Sequence, residues 1–418
     1  MPTRGQPPSS RSARLIGRSA EGVAVTGVLE GIRVLDFGRF IAAPWCSAML
    51  ADMGADVIRI EKREGGEDRF VQPAVPGGVG AGYLQFNRNK RAMTLDTTTD
   101  EGKQIAAKLI ATADVVVANM PDQAMRANGL DYESLKAIRP DIILASATAY
   151  GRGGPYSNRV GFDGIGQVMS GAVFRTGAPD QPYRTSVPYI DHSSAMMLAI
   201  GVMMALYHRQ ATGEGQEVEG ALLPVALSIA NALIIEETMA GRSRERIGNA
   251  GMAIAPCDLF RMTDGWILVQ VTGQPMFRRW CRLVGEEGWI EDSRFASDDL
   301  RADQGDLLNE KMQEWCDGRT IADACAALDE ARIPASPMLS PKEAAEDEHV
   351  KAMGFFKDMD YPGLPRPAPV IETPFRLSAT PGTIHSRAPQ LGEHTDALMA
   401  QLGYSLDEIT GFRERGII

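Results

Sequence analysis

LEGIRVLDFGRFIAAPWCSAMLADMGADVIRIEKREGGEDRF, residues Leu29 to Phe70, decides the architecture. It opens on an apolar run, Ile32 to Phe37, short enough for one strand. Ala43 to Met53 then has the composition of a helix, and Pro44 sits where a first turn tolerates a missing N–H. Ala55 to Glu61 is the next strand-like run. Further on, Thr99 to Thr112 has helical spacing, with Ile105, Leu109 and Ile110 on one face. Asp114 to Ala118 and Ile142 to Ser146 are short apolar runs of the kind that parallel sheets bury on both faces. Strands and helices therefore alternate, which predicts an α/β fold with a large, Rossmann-like open parallel sheet. No GxGxxG follows the first strand and no GxxxxGK[ST] occurs, so a nicotinamide dinucleotide and a P-loop nucleotide are both disfavoured.

Working outward, 418 residues are enough for two domains or one large one. The large domain is expected over 29–220. A linker helix and a smaller α+β domain should fill 221–334. There Asp264-Gly265 reads as a turn before the strand Trp266–Val271, and polar helices follow at Pro275–Val284, Ser297–Trp315 and Thr320–Ala331. Residues 335–418 should return to the large domain, with a strand at Ser336–Leu339 and a terminal helix at Glu393–Leu402. Residues 1–28 carry four arginines before the first acid, Glu21. They read as a disordered extension, with a mitochondrial transit peptide as the alternative.

A net charge of −11 argues against a general nucleic-acid or membrane-surface binder. An anionic ligand would then need a local basic site. The strand ends of the sheet, where ligands of such folds gather, hold Gly38-Arg39, Lys62-Arg63, Asn119-Met120 and Thr148-Ala149-Tyr150. Lys62-Arg63 reads either as a phosphate contact or as a solvated turn pairing with Glu61 or Glu64. Five dispersed cysteines without a CxxC fit a reducing cytoplasm, with no disulfide framework and no zinc site.

A second stretch, Gly161 to Gly220, is centred on Asp191. Asp191 precedes an almost unbroken apolar run, Ala195 to Tyr207. Spacing alone favours an N-cap, with the carboxylate accepting a first-turn N–H. The sharper reading is a nucleophilic carboxylate steadied by a helix N-terminus. The two are compatible. The run is apolar all round, which predicts burial, and at 13 residues it is too short to span a bilayer. Leu222 to Ile235 is interrupted by Pro224, Ser228 and Asn231, so a core or dimer helix is expected there.

These two stretches combine with FNRNKRAMTLD (Phe86–Asp96), ADVVVANM (Ala113–Met120), IPASPMLSPKEAAEDEHV (Ile333–Val350) and RAPQLGEHTDALMAQLGYS (Arg387–Ser405). The set resembles the class III CoA-transferases, which include formyl-CoA transferase, the carnitine CoA-transferases and the alpha-methylacyl-CoA racemases. The resemblance spans Leu29 to about Ser405. It implies an acyl-CoA donor and a small carboxylic acid as substrates, and an interlocked homodimer. Coenzyme A enters as substrate, with no permanently bound cofactor and no metal. Asp191 becomes the nucleophile, forming an aspartyl mixed anhydride and then an aspartyl-CoA thioester. The resemblance tips Lys62 and Arg63 towards a CoA phosphate, and Asn89, Lys90 and Arg91 match a family signature. Asn119 and Ala124 match positions lining the adenine and ribose pocket, and Tyr150 one near the CoA chain. Arg126 stands one place before the family's arginine position, which Ala127 occupies, and Ile41 stands where glutamine is common.

Gly161-Phe162-Asp163 bears on the branch. The racemases carry histidine at the middle position, where it shares α-proton transfer with the aspartate. Phe162 has no titratable atom. Asp163 is expected to cap a helix starting near Gly164, His192 to be structural or substrate-lining, and Gly248–Gly251 to be a closing loop or a plain connector. An acyl-CoA isomerase and a non-catalytic CoA-binding protein are the alternative functions. Carnitine-like acids, oxalate or formate, and C4 to C5 dicarboxylates all stay open as the acids exchanged.

Overall fold

Six strands form one parallel sheet: β1 (Arg33–Asp36), β2 (Asp56–Glu61), β3 (Lys90–Thr94), β4 (Val115–Ala118), β5 (Ile143–Thr148) and β6 (Glu217–Ala221). Their order is β3-β2-β1-β4-β5-β6, so the direction of winding reverses between β1 and β4. In a sheet wound this way the crevice for ligands opens at the carboxyl ends of the strands flanking that reversal. The computed structural model describes residues 27–241 and 243–418. The extension expected over residues 1–28 lies outside them but for its last two residues.

The strands are valine- and isoleucine-rich because both faces are covered. Val34, Leu35, Val57, Ile58, Val115 to Ala118 and Ile143 to Ala145 are all buried. On one face lies helix α1 (Ala42–Asp52), buried at all eleven positions, which explains its lack of a polar side. Beside it lies the helix carrying Asp191, through Ala195, Leu198, Val202, Ala205 and Leu206. The other face is covered by α2 (Asp100–Thr112), a short helix α3 (Asp122–Ala127) and the end of the chain, where Leu398, Ile409, Ile417 and Ile418 join the core. Thr99 caps α2, its hydroxyl accepting the Gly102 N–H at 3.0 Å, with Asp100 and Glu101 in the first turn.

Two helices follow a short α4 (Asp163–Met169): α5 (Tyr189–Thr212) and, after β6, α6 (Leu222–Ala240). Two expectations for α5 are corrected. It runs 24 residues, starting before Asp191 and continuing past Tyr207, so α5 and α6 are both long and apolar enough by length and composition to cross a membrane. Nor is its apolar run buried all round. Met196, Met197, Ile200, Met203, Met204 and Tyr207 are exposed along it. Apolarity reports a tendency to avoid water, and does not say whether the chain itself covers the surface.

The described residues divide into two units. One holds the six-stranded sheet and comprises the residues up to Met169, Val187–Ile229 and Met353–Ile418. The other comprises Ser170–Ser186 and Ala230–Ala352. It carries an antiparallel sheet of β7 (Cys257–Arg261), β8 (Trp266–Gln270) and β9 (Ala335–Pro337), with helices α7 (Gln274–Val284), α8 (Gly305–Cys316) and α9 (Ile321–Glu330). Phe277, Trp280, Phe295, Leu308 and Met312 fill its core. Within it, Gly248 bridges to Gly177, and Arg246 donates to the carbonyls of Phe174, Ala178 and Pro179. The base of the Gly248–Gly251 stretch is thereby tied down. The chain ends in the first unit with α10 (Thr395–Gln401) and α11 (Leu406–Glu414).

Candidate functional site

A cavity of about 660 Å³ opens at the carboxyl ends of β1, β2, β4 and β5, where the winding reverses. Its walls come from Phe37–Ala42 after β1, Lys62 after β2, Leu95–Thr98 after β3, Asn119–Ala124 after β4 and Ala149 after β5. Arg159–Phe162, Asp191 and Leu222 close it. All of these residues belong to the first unit.

The loop between β1 and α1 is held at every backbone polar group of Gly38 and Arg39. Gly38 donates to Asp36 Oδ1 at 2.8 Å and its carbonyl accepts from Arg59 at 3.4 Å. A Cβ at Gly38 would lie 2.5 Å from that of Ala43, so only glycine fits. Arg39 N–H donates to Asn119 Oδ1 and Asn119 Nδ2 donates to the Arg39 carbonyl, each at 2.8 Å. Phe40 is left with φ of 63°, a left-handed conformation that costs a non-glycine residue about 1–3 kcal/mol. The surrounding bonds must supply that. Asn119→Ala is therefore expected to lower stability by about 1 kcal/mol and kcat/KM by about tenfold, read by urea unfolding and turnover. An unchanged kcat/KM would show that Asn119 does not hold the site together.

Beneath the loop, Lys90 Nζ reaches Asp36 Oδ2 and the Pro44 carbonyl at 2.7 Å and Asn87 Oδ1 at 3.0 Å. Ser47 also donates to Asp36 Oδ2, at 2.8 Å. Burial pulls the Lys90 ammonium below the ordinary lysine range, although Asp36 works against it.

The structure brings Asp191, Lys62, Asn119 and Ala124 to this one cavity. Lys62 shares Glu67 with Arg39 at the rim, at 2.9 and 3.4 Å, with both cations half exposed. It does not bring the remaining candidates there. Lys90 is buried under the loop. Asn89 and Arg91 flank the amino end of β3, whereas the cavity touches its carboxyl end. Asn89 donates to Asp52 and the Thr383 carbonyl and accepts the N–H groups of His385 and Ser386. Arg91 pairs with Asp56 at 2.7 Å. Arg63 lies against Gly416, Arg126 is exposed on α3, and Tyr150 packs edge-on against Tyr156. Arg159 escaped the sequence reading. It lines the cavity, its guanidinium lies 3.8 Å from the Tyr156 ring centre, and it has no ion-pair partner among the described residues. A cation two residues before Gly161 was the available signal.

Asp191 is not an N-cap. Pro188 holds that position without a side-chain bond, and Asp191 stands in the first turn. Asp163 does the capping: its Oδ1 accepts the N–H groups of Ile190 at 2.7 Å and of Asp191 at 3.1 Å. The expectation that Asp163 caps its own helix is corrected with it, since α4 starts at Asp163. The Asp191 carboxyl is thus free of capping. Burial and the nearby Asp163 charge push its pKa up to about 7, against a backbone N–H of Asp163. His192 turns away, with Nδ1 2.7 Å from the Pro188 carbonyl and the ring edge-on to Trp45 and Phe86. Phe162 stands in the wall edge-on to Phe40, with ring centres 5.5 Å apart. No cluster of three or more His, Cys, Asp or Glu that could hold a metal ion occurs among the described residues.

Residues 29–395 match the family model described as CoA-transferase family III. The chain belongs to CoA-transferase family III. This family III enzyme is 34% identical over 386 residues to the succinate–glutarate CoA-transferase of Agrobacterium fabrum, covering 90% of this chain and 95% of the relative. It is 30% identical to the succinyl-CoA–D-citramalate CoA-transferase of Chloroflexus aurantiacus, covering 93% and 98%. A crystal structure of a CAIB/BAIF family protein from Brucella suis superposes with a TM-score of 0.79 at 33% identity, covering 90% of this chain and 99% of that one. The mixed α/β fold with its large parallel sheet is that of these neighbours, and CoA thioesters and carboxylic acids are the substrates of the class.

Proposed function

We propose that this family III CoA-transferase works through covalent intermediates on Asp191. An Asp191 oxygen attacks the thioester carbonyl of the donor, the C–S bond breaks, and a mixed anhydride and CoA thiolate result. The thiolate attacks the Asp191 carbonyl carbon, releasing the donor acid as its carboxylate and leaving aspartyl-CoA. An acceptor carboxylate repeats the two steps in reverse, which restores the Asp191 carboxylate. No net proton is taken up or lost. The observation that carries this reading is Asp191 itself: a half-buried carboxyl on the wall of the strand-end cavity, released from capping by Asp163.

Lys62 and Arg39 hold a CoA phosphate at the rim. Their shared Glu67 is no obstacle, because exposed ion pairs are worth at most about 1 kcal/mol. Among the acids considered, C4 to C5 dicarboxylates fit best, since the two relatives' names carry succinate, glutarate and citramalate. Arg159 is the cation available to the far carboxylate. The exposed methionines of α5, with Ile229, Ile235 and Met239 of α6, support a homodimer over a membrane span. Five free cysteines, four of them buried, support a cytoplasmic enzyme.

Incubation with succinyl-CoA, followed by a hydroxylamine quench and intact mass, tests the route. A modification at Asp191, absent from Asp191→Ala, is expected. Phe162 offers no second acid–base group, so no deuterium should enter the α carbon of the bound thioester. Exchange without any adduct would move the enzyme to the isomerase branch.

A further inference from the structure

The motif Gly161-Phe162-Asp163 has lost the proton-transfer role of its middle residue but keeps the aspartate, and the surroundings of that aspartate are unusual. Asp163 is 6% exposed. Its Oδ1 takes two N–H groups at the start of α5, and its Oδ2 takes the amide N–H of Gln167. No cation pairs with it among the described residues. One of those N–H groups belongs to Asp191, and a backbone N–H of Asp163 acts in turn on the Asp191 carboxyl, so the two residues are joined through backbone bonds in both directions. The helix N-terminus would ordinarily steady a carboxylate in its first turn. Here the Ile190 and Asp191 donors are given to Asp163 instead.

We propose that Asp163 is a positioning residue that drives acylation of Asp191, because its charge repels the free Asp191 carboxylate and has nothing to repel once that carboxylate is acylated. This rests on the reading of Asp191 as the nucleophile. In the first step the negative charge of Asp191 leaves as CoA thiolate. In the second, the donor acid carries it away. Both covalent forms of Asp191 are neutral, so both are relieved of the repulsion, which is strong at short range away from bulk water. The same bond to the Asp191 N–H fixes the first turn of α5, so capping and charge come from one side chain.

Other charged groups face the cavity from every surrounding element. They are Arg39 on the loop after β1, Arg59, Glu61 and Lys62 on β2 and its end, Asp96 after β3, Asp122 on α3, and Arg159 before α4. Tyr189 and His192 share the first turn of α5. Burial first, and the Asp163 charge after it, raise the Asp191 pKa to about 7.

Asp163→Asn separates charge from capping. The amide keeps an oxygen for the Ile190 and Asp191 N–H groups, and Gln167 can turn its own oxygen to the new NH₂. The pH dependence of kcat/KM for CoA transfer from succinyl-CoA is measured, with the fraction of covalent adduct at pH 8 read by intact mass. In the wild type, kcat/KM should rise through about pH 7, as Asp191 ionises. In the variant, the midpoint should fall by about one unit and the adduct fraction about tenfold, since one pKa unit is a factor of ten. Asp163→Ser, which keeps an acceptor oxygen without charge, should give the same shift and serves if the amide variant folds poorly. An unmoved midpoint with kcat/KM lowered equally at all pH values would leave Asp163 as a cap alone and overturn the proposal. Absence of any adduct in the wild type would instead remove the nucleophile reading on which it rests.

Discussion

Asp191→Asn is expected to unfold at higher denaturant than the wild type at pH 8, and to transfer CoA at least about a thousandfold more slowly. The two effects have one cause. A carboxylate that is desolvated and placed beside Asp163 is poorly stabilised as an anion, which suits a nucleophile and costs the fold. The sign follows from the pKa of about 7 in the folded chain, against an ordinary carboxylate value near 4 when unfolded. A raised carboxyl contributes stability that is fully present below about pH 4 and is lost as pH rises through 7. Above pH 7 the wild type therefore carries a penalty that the amide lacks. At 1.36 kcal/mol per unit, and discounted for the solvent-facing side of the cavity, it is about 2 kcal/mol. The difference between the two proteins should shrink towards pH 5. A capping aspartate predicts the opposite: a loss of about 1 kcal/mol and no change in turnover. Urea unfolding at pH 5 and pH 8, beside a CoA-transfer assay, separates the two, and a variant less stable than wild type at pH 8 would return Asp191 to a structural role.

Lys90→Met should destabilise the protein by about 3–5 kcal/mol, the usual cost of stranding one member of a buried ion pair. Asp36 and Lys90 both have side chains wholly out of solvent. Without the ammonium, Asp36 keeps hydrogen bonds from Ser47 and the Gly38 N–H and the more distant charge of Arg59, and the Pro44 carbonyl and Asn87 each lose a donor. The loss should reach the site through Gly38, whose N–H orients the loop that forms its floor. Adding Asp36→Asn should recover part of the stability, because the stranded charge is then gone. A residue that binds CoA phosphate predicts instead a raised KM for acyl-CoA with unfolding unchanged. Equilibrium unfolding of the single and double variants, with KM for the donor, decides between them.

The two predictions also mark where sequence reasoning stops. The alternation of Ile32–Phe37, Ala43–Met53 and Ala55–Glu61 already specified a parallel α/β sheet, because strand and helix signals are local and periodic and a strand buried on both faces has few ways to be polar. Phe162 in place of histidine was legible too, since the lack of a titratable atom needs no structure to see. That the chain is a CoA-transferase followed from many short matches spread along it, and the family match over residues 29–395 agrees.

Tertiary structure decided what each polar group is for. Asp163 and the Ile190 N–H it accepts are 27 residues apart, Lys90 and Asp36 are 54 apart, and Arg39 and Asn119 are 80 apart. No periodicity reports such pairs. The cluster Asn89-Lys90-Arg91, which matched a family signature as one unit, therefore became three separate structural anchors. The apolar run of α5 looked like core and left its methionines exposed, because composition measures how much a segment avoids water and only packing determines which surface covers it.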